Sequence, residues 1–374
     1  MKILLIRLRQ IGDVVFTTPA VRALRDHFPD ARISYLVEPL AAPIVAGNPR
    51  LTDTIIAERP GGLRQVREDL ALARRLRAAH YDLVIDFHGG PRASWLALAT
   101  GAPRRIGYEV VGRSWMYTTR ITRPRALRAR HSVVNQWDLL TPLGIEEPDP
   151  ARWPTEMPET AVAARTVLGR LSDAGVQPGD TVIVLHVSAG NPFRRWPEPA
   201  FADLIVRLVT DRPERRVVLT AGPSDRQAVD RIVAAADPRL PVARRAAIVR
   251  CGEFDLAELR ALAGRASLYI GGDSGPLHIA GTTAVPIVAL FGPTLAERST
   301  PWRDPALVAE NVDGGPLPCR PCEQRHCVPG DFRCLTGVSS AQVAAAAERA
   351  LARSAGRGWP AAAGSSSPAV ARNV

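Results

Sequence analysis

The sequence predicts an α/β protein made of two doubly wound, parallel-sheet units. Three observations carry that prediction. Short apolar runs rich in β-branched residues alternate with longer amphipathic stretches, which is the βαβ rhythm. The rhythm is interrupted once, over residues 142–178, where Pro, Glu and Asp accumulate as in a connection between domains. The strand-like runs end in turns rich in glycine and other small residues, and parallel sheets bind ligands at their carboxyl ends. At roughly 100–200 residues per domain, the 374 residues suit two domains with proper cores.

Taken in order, Ile3 to Leu8 reads as a strand, Thr18 to His27 as a helix and Ile33 to Val37 as a strand. Leu63 to Ala79 follows as an arginine-rich amphipathic helix, and Leu83 to Phe87 as a strand ending at His88, Gly89 and Gly90. Ile106-Gly107-Tyr108 reads as a turn. Beyond the connection, strands are expected at Val182 to Val187, Arg216 to Ala221, Ser267 to Ile270 and Ile287 to Phe291, with a last helix over Ala341 to Arg353. The expected units are therefore 1–160 and 161–354, and the Gly, Ser, Pro and Ala tail 355–374 is expected to be disordered.

Composition excludes several chemistries. Lys2 is the only lysine, so neither a P-loop nor a Schiff-base lysine can be placed. Arg7 and Arg9 break the opening apolar run, and no stretch reaches the length of a secretory or membrane-spanning segment, so the chain is expected in the cytoplasm. The formal net charge is +11, and nine arginines against one acidic residue, Glu109, fall between Arg92 and Arg130. Such a cluster is either a solubilising surface or a site for an acidic partner.

Four motifs carry chemistry. Gly12-Asp13 lies where the first strand gives way to a helix, so Asp13 reads either as an N-cap or as a general base facing a cleft. Ser188-Ala189-Gly190-Asn191, followed by Arg194-Arg195-Trp196, reads either as a phosphate loop or as a solvated arginine pair beside a core tryptophan. Asp273-Ser274-Gly275 with His278 opens a helix after a buried strand, where exposed amides suit an anion, and Thr294 sits in the next strand-end turn. Its five letters GDSGP match the nucleophile region of trypsin-like proteases, but those are all-β and disulfide-bonded. Cys319, Cys322, Cys327 and Cys334 have a spacing compatible with a structural zinc or an iron–sulfur cluster, with reduced thiols or disulfides as alternatives.

In order and spacing, the opening KILLIRLRQIGDVVFTTPAVRALR, the HVSAG and RRWP segments, GGDSGPLHIAG, FGPT and the cysteine run resemble the ADP-heptose:lipopolysaccharide heptosyltransferases, inverting glycosyltransferases of family 9. The resemblance runs from residue 1 to about residue 350. It implies a GT-B architecture, with two Rossmann-like domains facing across a cleft, acceptor on the first and nucleotide sugar on the second. It casts Asp13 as the base. On the donor side it puts Ser188, Ala189, Arg194 (where the family usually has lysine), Asp225, Asp273, Ser274, Gly275, His278 and Thr294. Gly12, Arg64, Arg105 and Arg113 are expected on the acceptor side.

The expected reaction is heptose transfer from ADP-heptose to Kdo or heptose of the lipopolysaccharide inner core. No cofactor is required, and no Asp-x-Asp metal motif occurs in the chain. The expected partners are an ADP-sugar, an acidic lipid-linked glycan and the anionic cytoplasmic face of the inner membrane, without nucleic acid. Rival readings are a family-9 transferase with another nucleotide sugar or acceptor, a nucleic-acid-binding protein, and a GT-B epimerase or hydrolase.

Overall fold

The computed structural model describes residues 1–122, 130–222, 225–322 and 324–354. The expected tail 355–374, together with Arg123, Arg125 and Arg128 of the basic stretch and Pro223 and Ser224, lies outside the described residues. The first unit contains β1 (Lys2–Ile6), β2 (Arg32–Val37), β3 (Asp53–Ile56), β4 (Leu83–Asp86), β5 (Arg104–Tyr108) and β6 (Thr119–Ile121). Its helices are α1 (Ile11–Val15), α2 (Thr18–His27), α3 (Ala42–Val45), α4 (Gly62–Ala78), α5 (Pro91–Ala99) and α6 (Ser132–Trp137).

The second unit contains β7 (Thr181–His186), β8 (Arg215–Thr220), β9 (Ile248–Val249), β10 (Leu268–Gly272), β11 (Ile287–Phe291) and β12 (Ala309–Asp313). Around them lie α7 (Ala161–Asp173), α8 (Glu198–Val209), α9 (Arg226–Ala236), α10 (Leu256–Arg265), α11 (Gly275–Gly281), α12 (Ala296–Ser299), α13 (Arg333–Thr336) and α14 (Ser340–Arg353).

The two six-stranded sheets run in the orders β3-β2-β1-β4-β5-β6 and β12-β11-β10-β7-β8-β9, and every pairing is parallel. Helices cover both faces, which is why the central strands are continuous apolar runs rather than alternating ones: Ile3, Leu4, Leu5 and Ile6 are all fully buried. Register follows, with Ile3 opposite Ile33 on one side and Leu83 on the other. Local signals stop and start the helices. Asp255 with Glu258 and Ser339 with Gln342 form capping boxes at the starts of α10 and α14.

Two expectations need correction. Ile106-Gly107-Tyr108 is the second half of strand β5, not a turn; its glycine serves a close approach, since a Cβ there would lie 2.3 Å from the Tyr117 ring. The connection is also shorter than composition indicates. α7 lies inside the Pro-rich interval but packs on the second unit, where Ala163, Val167 and Leu171 join its core.

The chain crossing between units is strapped down at both ends. Trp153 donates its indole N–H to Asp26 (2.9 Å), Trp302 donates its own to the Trp153 carbonyl (2.9 Å), and Glu156 takes Arg50 (2.7 Å). His131 accepts the Val133 amide at Nδ1, so Nε2 carries the proton and donates to the Thr300 carbonyl (2.8 Å). Burial, against the pull of that carbonyl bond and aided by the charge of His278, pushes the imidazole pKa down to about 4.

Under the first strand ends lies a buried carboxylate. Asp86 accepts from the amides of His88 (2.8 Å) and Gly89 (2.9 Å) and from the Tyr117 hydroxyl (2.6 Å), while burial pushes its pKa up. Gly107→Ala drives a methyl into that tyrosine ring and is expected to cost about 3 kcal/mol from overpacking and the lost Asp86 bond. Denaturant unfolding checks it, and an unchanged midpoint would mean the ring is not held as described.

Candidate active site

The two sheets bring their carboxyl edges together at one point. After β1, residues 7–10 lead into α1; after β10, Asp273 and Ser274 lead into α11; and the starts of the two helices touch. Both helices carry glycine at the contact. A Cβ on Gly12 would lie 2.7 Å from the His278 ring, and one on Gly275 would lie 2.6 Å from Ile11. Any larger side chain at either position would wedge the units apart.

Asp13 sits on α1 at this junction, its side chain 36% exposed, and one carboxylate oxygen is ion-paired with the buried Arg7. Arg7 is itself fixed by donating to the Phe87 carbonyl, beside Asp86. The N-cap of α1 is Gln10, so Asp13 is not the cap that base rates favour. It is an oriented carboxylate open to the cleft.

Across the contact, Asp273 is almost completely buried. Arg194 Nη1 lies 3.0 Å from its carboxylate and 3.2 Å from its carbonyl oxygen, and His278 Nε2 lies 3.5 Å away. Burial opposes its ionisation, but the His278 hydrogen bond, the charges of Arg194 and His278 and the Thr294 hydroxyl prevail and hold the pKa at about 2. Asp273 thus orients Arg194 and His278. The imidazole meets the ring of Phe16 of the first unit in a tilted contact, centroids 4.3 Å apart, and His278 Nδ1 has no hydrogen-bond partner among the described residues.

Two further strand ends complete this side. After β7, the Ser188 hydroxyl accepts the Gly222 amide (2.8 Å) and meets His186 (3.2 Å), whose pKa burial lowers to about 4. The Ala189 carbonyl takes Arg195 Nε (3.0 Å), and Arg195 reaches Asp225 (3.0 Å), at the N-terminus of α9. After β11, Thr294 is buried. Gln324, from the cysteine-bearing loop, links these pieces: its carbonyl accepts from Arg194 Nε (2.7 Å) and Asn191 (2.9 Å), and its amide donates to Thr294 (3.3 Å).

The expected acceptor residues divide. Gly12 is at the contact, and Arg113 lies at the same edge, donating to the Gly89 carbonyl (3.3 Å). Arg105 is not near the cleft. It stands at the amino end of β5, opposite the edge that forms the site, and its guanidinium is spent on the carbonyls of Ala102 and Met116. Arg64 projects outward from the first turn of α4, with Glu68 3.9 Å away. The cysteines are free thiols, and all four line one cavity of about 430 Å³ together with Phe193 and His326. Among the described residues no three His, Cys, Asp or Glu side chains are grouped so as to hold a metal ion.

The sequence profile of "Glycosyltransferase family 9 (heptosyltransferase)" matches residues 70–330. The chain belongs to glycosyltransferase family 9. It is 28% identical over 354 residues to lipopolysaccharide heptosyltransferase 3 of Escherichia coli (strain K12), covering 92% of this chain and 96% of that protein. Lipopolysaccharide heptosyltransferase 2 of the same strain is 23% identical over 318 residues, covering 84% of this chain and 89% of that one. Among solved structures, a family-9 glycosyltransferase from Veillonella parvula DSM 2008 superposes with a TM-score of 0.81 at 24% identity, over 94% of this chain and 97% of that one. Escherichia coli ADP-heptose lps heptosyltransferase II gives 0.72 at 20% identity, over 94% and 99%. The fold is therefore GT-B, and the protein is a glycosyltransferase.

Two residues of this family-9 site escape sequence reasoning. Arg7 lies inside a strand-like run and Gln324 in the cysteine run, and each is recognisable only by what it touches. The Asp273 carboxyl titrates near 2 folded and near 4 unfolded. Its stabilisation is therefore complete above about pH 4 and lost as pH falls towards 2. In acid titrations of thermal stability, the gap between wild type and Asp273→Asn should close over that interval; a constant gap would contradict the pairing.

Proposed function

We propose that this glycosyltransferase moves a heptose from ADP-heptose, with inversion and without metal, to a Kdo or heptose hydroxyl of the lipopolysaccharide inner core at the cytoplasmic face of the inner membrane. The observation that carries the reading is the meeting of an oriented carboxylate, Asp13, with the Ser274-Gly275 turn and its Arg194 and His278 across the glycine contact. The lipopolysaccharide heptosyltransferases among its relatives support the sugar and the acceptor class.

In this mechanism the free oxygen of Asp13 takes the proton of the acceptor hydroxyl as that oxygen attacks the anomeric carbon. The bond to the donor diphosphate breaks on the opposite face, so one displacement inverts the centre. ADP leaves with the bonding electron pair. Arg194 and the amides of Ser274 and Gly275 are the donors available to the developing charge. A guanidinium held on two sides is preorganised for that task, and Asp273 with Gln324 does the holding.

Transfer from ADP-heptose, with UDP-sugars as controls, to lipid A bearing Kdo in the presence of EDTA tests the reaction. Product with ADP-heptose alone is the expected result. Product only with another donor or acceptor would move the assignment within the family. Asp13→Asn is expected to fold and to bind ADP while losing transfer by about 10²–10⁴-fold, and wild-type turnover would remove Asp13 as the base.

Arg194→Ala should weaken ADP binding by tenfold or more, as about 1.5–3 kcal/mol is lost with a charged hydrogen-bond donor. Gln324→Ala should do so by less, with the acceptor KM unchanged in both. Calorimetry with ADP decides, and an unaltered affinity in Arg194→Ala would remove it from the donor site.

A further inference from the structure

The outward face of α4 is neither a core face nor an ordinary solvated one. The helix packs inward through Leu72, Ala73 and Leu76, while Asp69 turns to bind Arg92 (2.7 Å). Along the flank of that packed face, in line with Ala73, Leu63, Val66 and Leu70 stand 85%, 55% and 43% exposed. Their spacing of three and four residues aligns them in one stripe. Single exposed leucines are unremarkable, but an aligned apolar stripe on a monomeric surface marks a contact.

Arg64, Arg67 and Arg74 flank the stripe and are exposed, and Arg67 and Arg74 form no ion pair among the described residues. The two acidic residues of the helix are turned aside, Asp69 to Arg92 and Glu68 towards Arg64. Apolar side chains in a row beside two unpaired arginines match the two layers of an anionic bilayer surface, its acyl boundary and its headgroups. No helix among the described residues is long and apolar enough to cross a membrane.

Position adds a second argument. α4 begins six residues after β3, on the carboxyl edge of the same parallel sheet whose β1 leads to Asp13. β3 is two strands from β1, about 10 Å across the sheet. A bilayer touching the start of α4 therefore lies beside the mouth of the cleft, where a lipid-anchored acceptor has to enter.

We propose that the outward face of α4, through Leu63, Val66 and Leu70 with Arg67 and Arg74, seats the protein on an anionic lipid surface and presents the cleft to acceptors embedded in it. The part concerning acceptors rests on the transfer reading above; the lipid contact does not. It assigns membrane contact to α4 rather than to the basic stretch from Arg92 to Arg130.

The test is co-sedimentation with vesicles of phosphatidylglycerol and phosphatidylethanolamine, against phosphatidylcholine alone. Wild type should bind the anionic vesicles, and salt should weaken binding. Leu63→Ser/Val66→Ser/Leu70→Ser should abolish it, and Arg67→Ala/Arg74→Ala should lower partitioning by about fivefold per arginine. All five side chains are exposed, so the variants should stay folded, with thermal stability lowered only slightly by the change in helix propensity.

Transfer to a deacylated, water-soluble acceptor should be unaltered in these variants, and transfer to acceptor in vesicles should fall with binding. Variants that bind vesicles like wild type, binding indifferent to lipid charge, or retention by duplex DNA but not by vesicles would each overturn the proposal. Loss of vesicle binding by the variants, with no transfer by wild type to either acceptor, would sustain the lipid contact and defeat the transfer reading.

Discussion

Everything at this site depends on how closely two helix starts can approach. α1 and α11 each follow the carboxyl end of a central parallel strand, and they meet through Gly12 and Gly275. Without side chains at those two positions, the His278 ring can pass from its carboxylate on the second unit to Phe16 on the first. A methyl at either glycine would lie under 3 Å from the facing side chain and force it or the edges to move. Small misplacements of reacting groups are enough to cost a catalyst much of its rate.

On each side of that contact, a buried carboxylate organises the charged groups without facing the cleft. Asp86 shapes the His88-Gly89 loop beneath Arg7, and Arg7 orients Asp13. Asp273 holds Arg194 and His278. Burial pushes both carboxyls up, but their net shifts are opposite. For Asp86, held mainly by neutral donors, burial outweighs those bonds and the charge of Arg7, whereas the groups beside Asp273 overcome its burial and keep it ionised. A permanently charged guanidinium with a fixed counter-charge keeps its aim when a ligand arrives or leaves. The arginine at 194, where the family usually carries lysine, suits such two-sided restraint because its planar head can be gripped at Nε and Nη1 together.

The cysteine-bearing loop belongs to the same construction. Arg320 ties it to the Thr294 carbonyl (3.1 Å) and to Asp313 (3.2 Å), and Cys322 donates its amide to the Pro293 carbonyl (3.3 Å). It is thereby laid across the turn after β11, and this delivers Gln324 to Arg194. The visible work of the loop is thus positional. Its thiols line a neighbouring cavity rather than the cleft.

The sequence by itself determined the layered architecture and most of its elements, because hydrophobic period, strand-end glycines and capping residues act locally. α2 spans Thr18–His27 and β11 spans Ile287–Phe291, as read from pattern alone. The Asp273 to His278 turn was legible because polar and small residues after a core strand have little structural use, whereas Asp13 also read as an N-cap until the structure gave that place to Gln10. Strand β5 was not, since its arginines and glycine look like a turn until Tyr117 is seen lying on Gly107. Arg105 was misplaced because a residue's number does not say which end of a parallel strand faces the cleft. Only the tertiary structure decided that Arg7 and Gln324 belong to the site, because each acts through partners distant in sequence: Gln324 meets Arg194 across 130 residues of chain. Pairings of that range come from packing two sheets edge to edge, and no local period or motif encodes them.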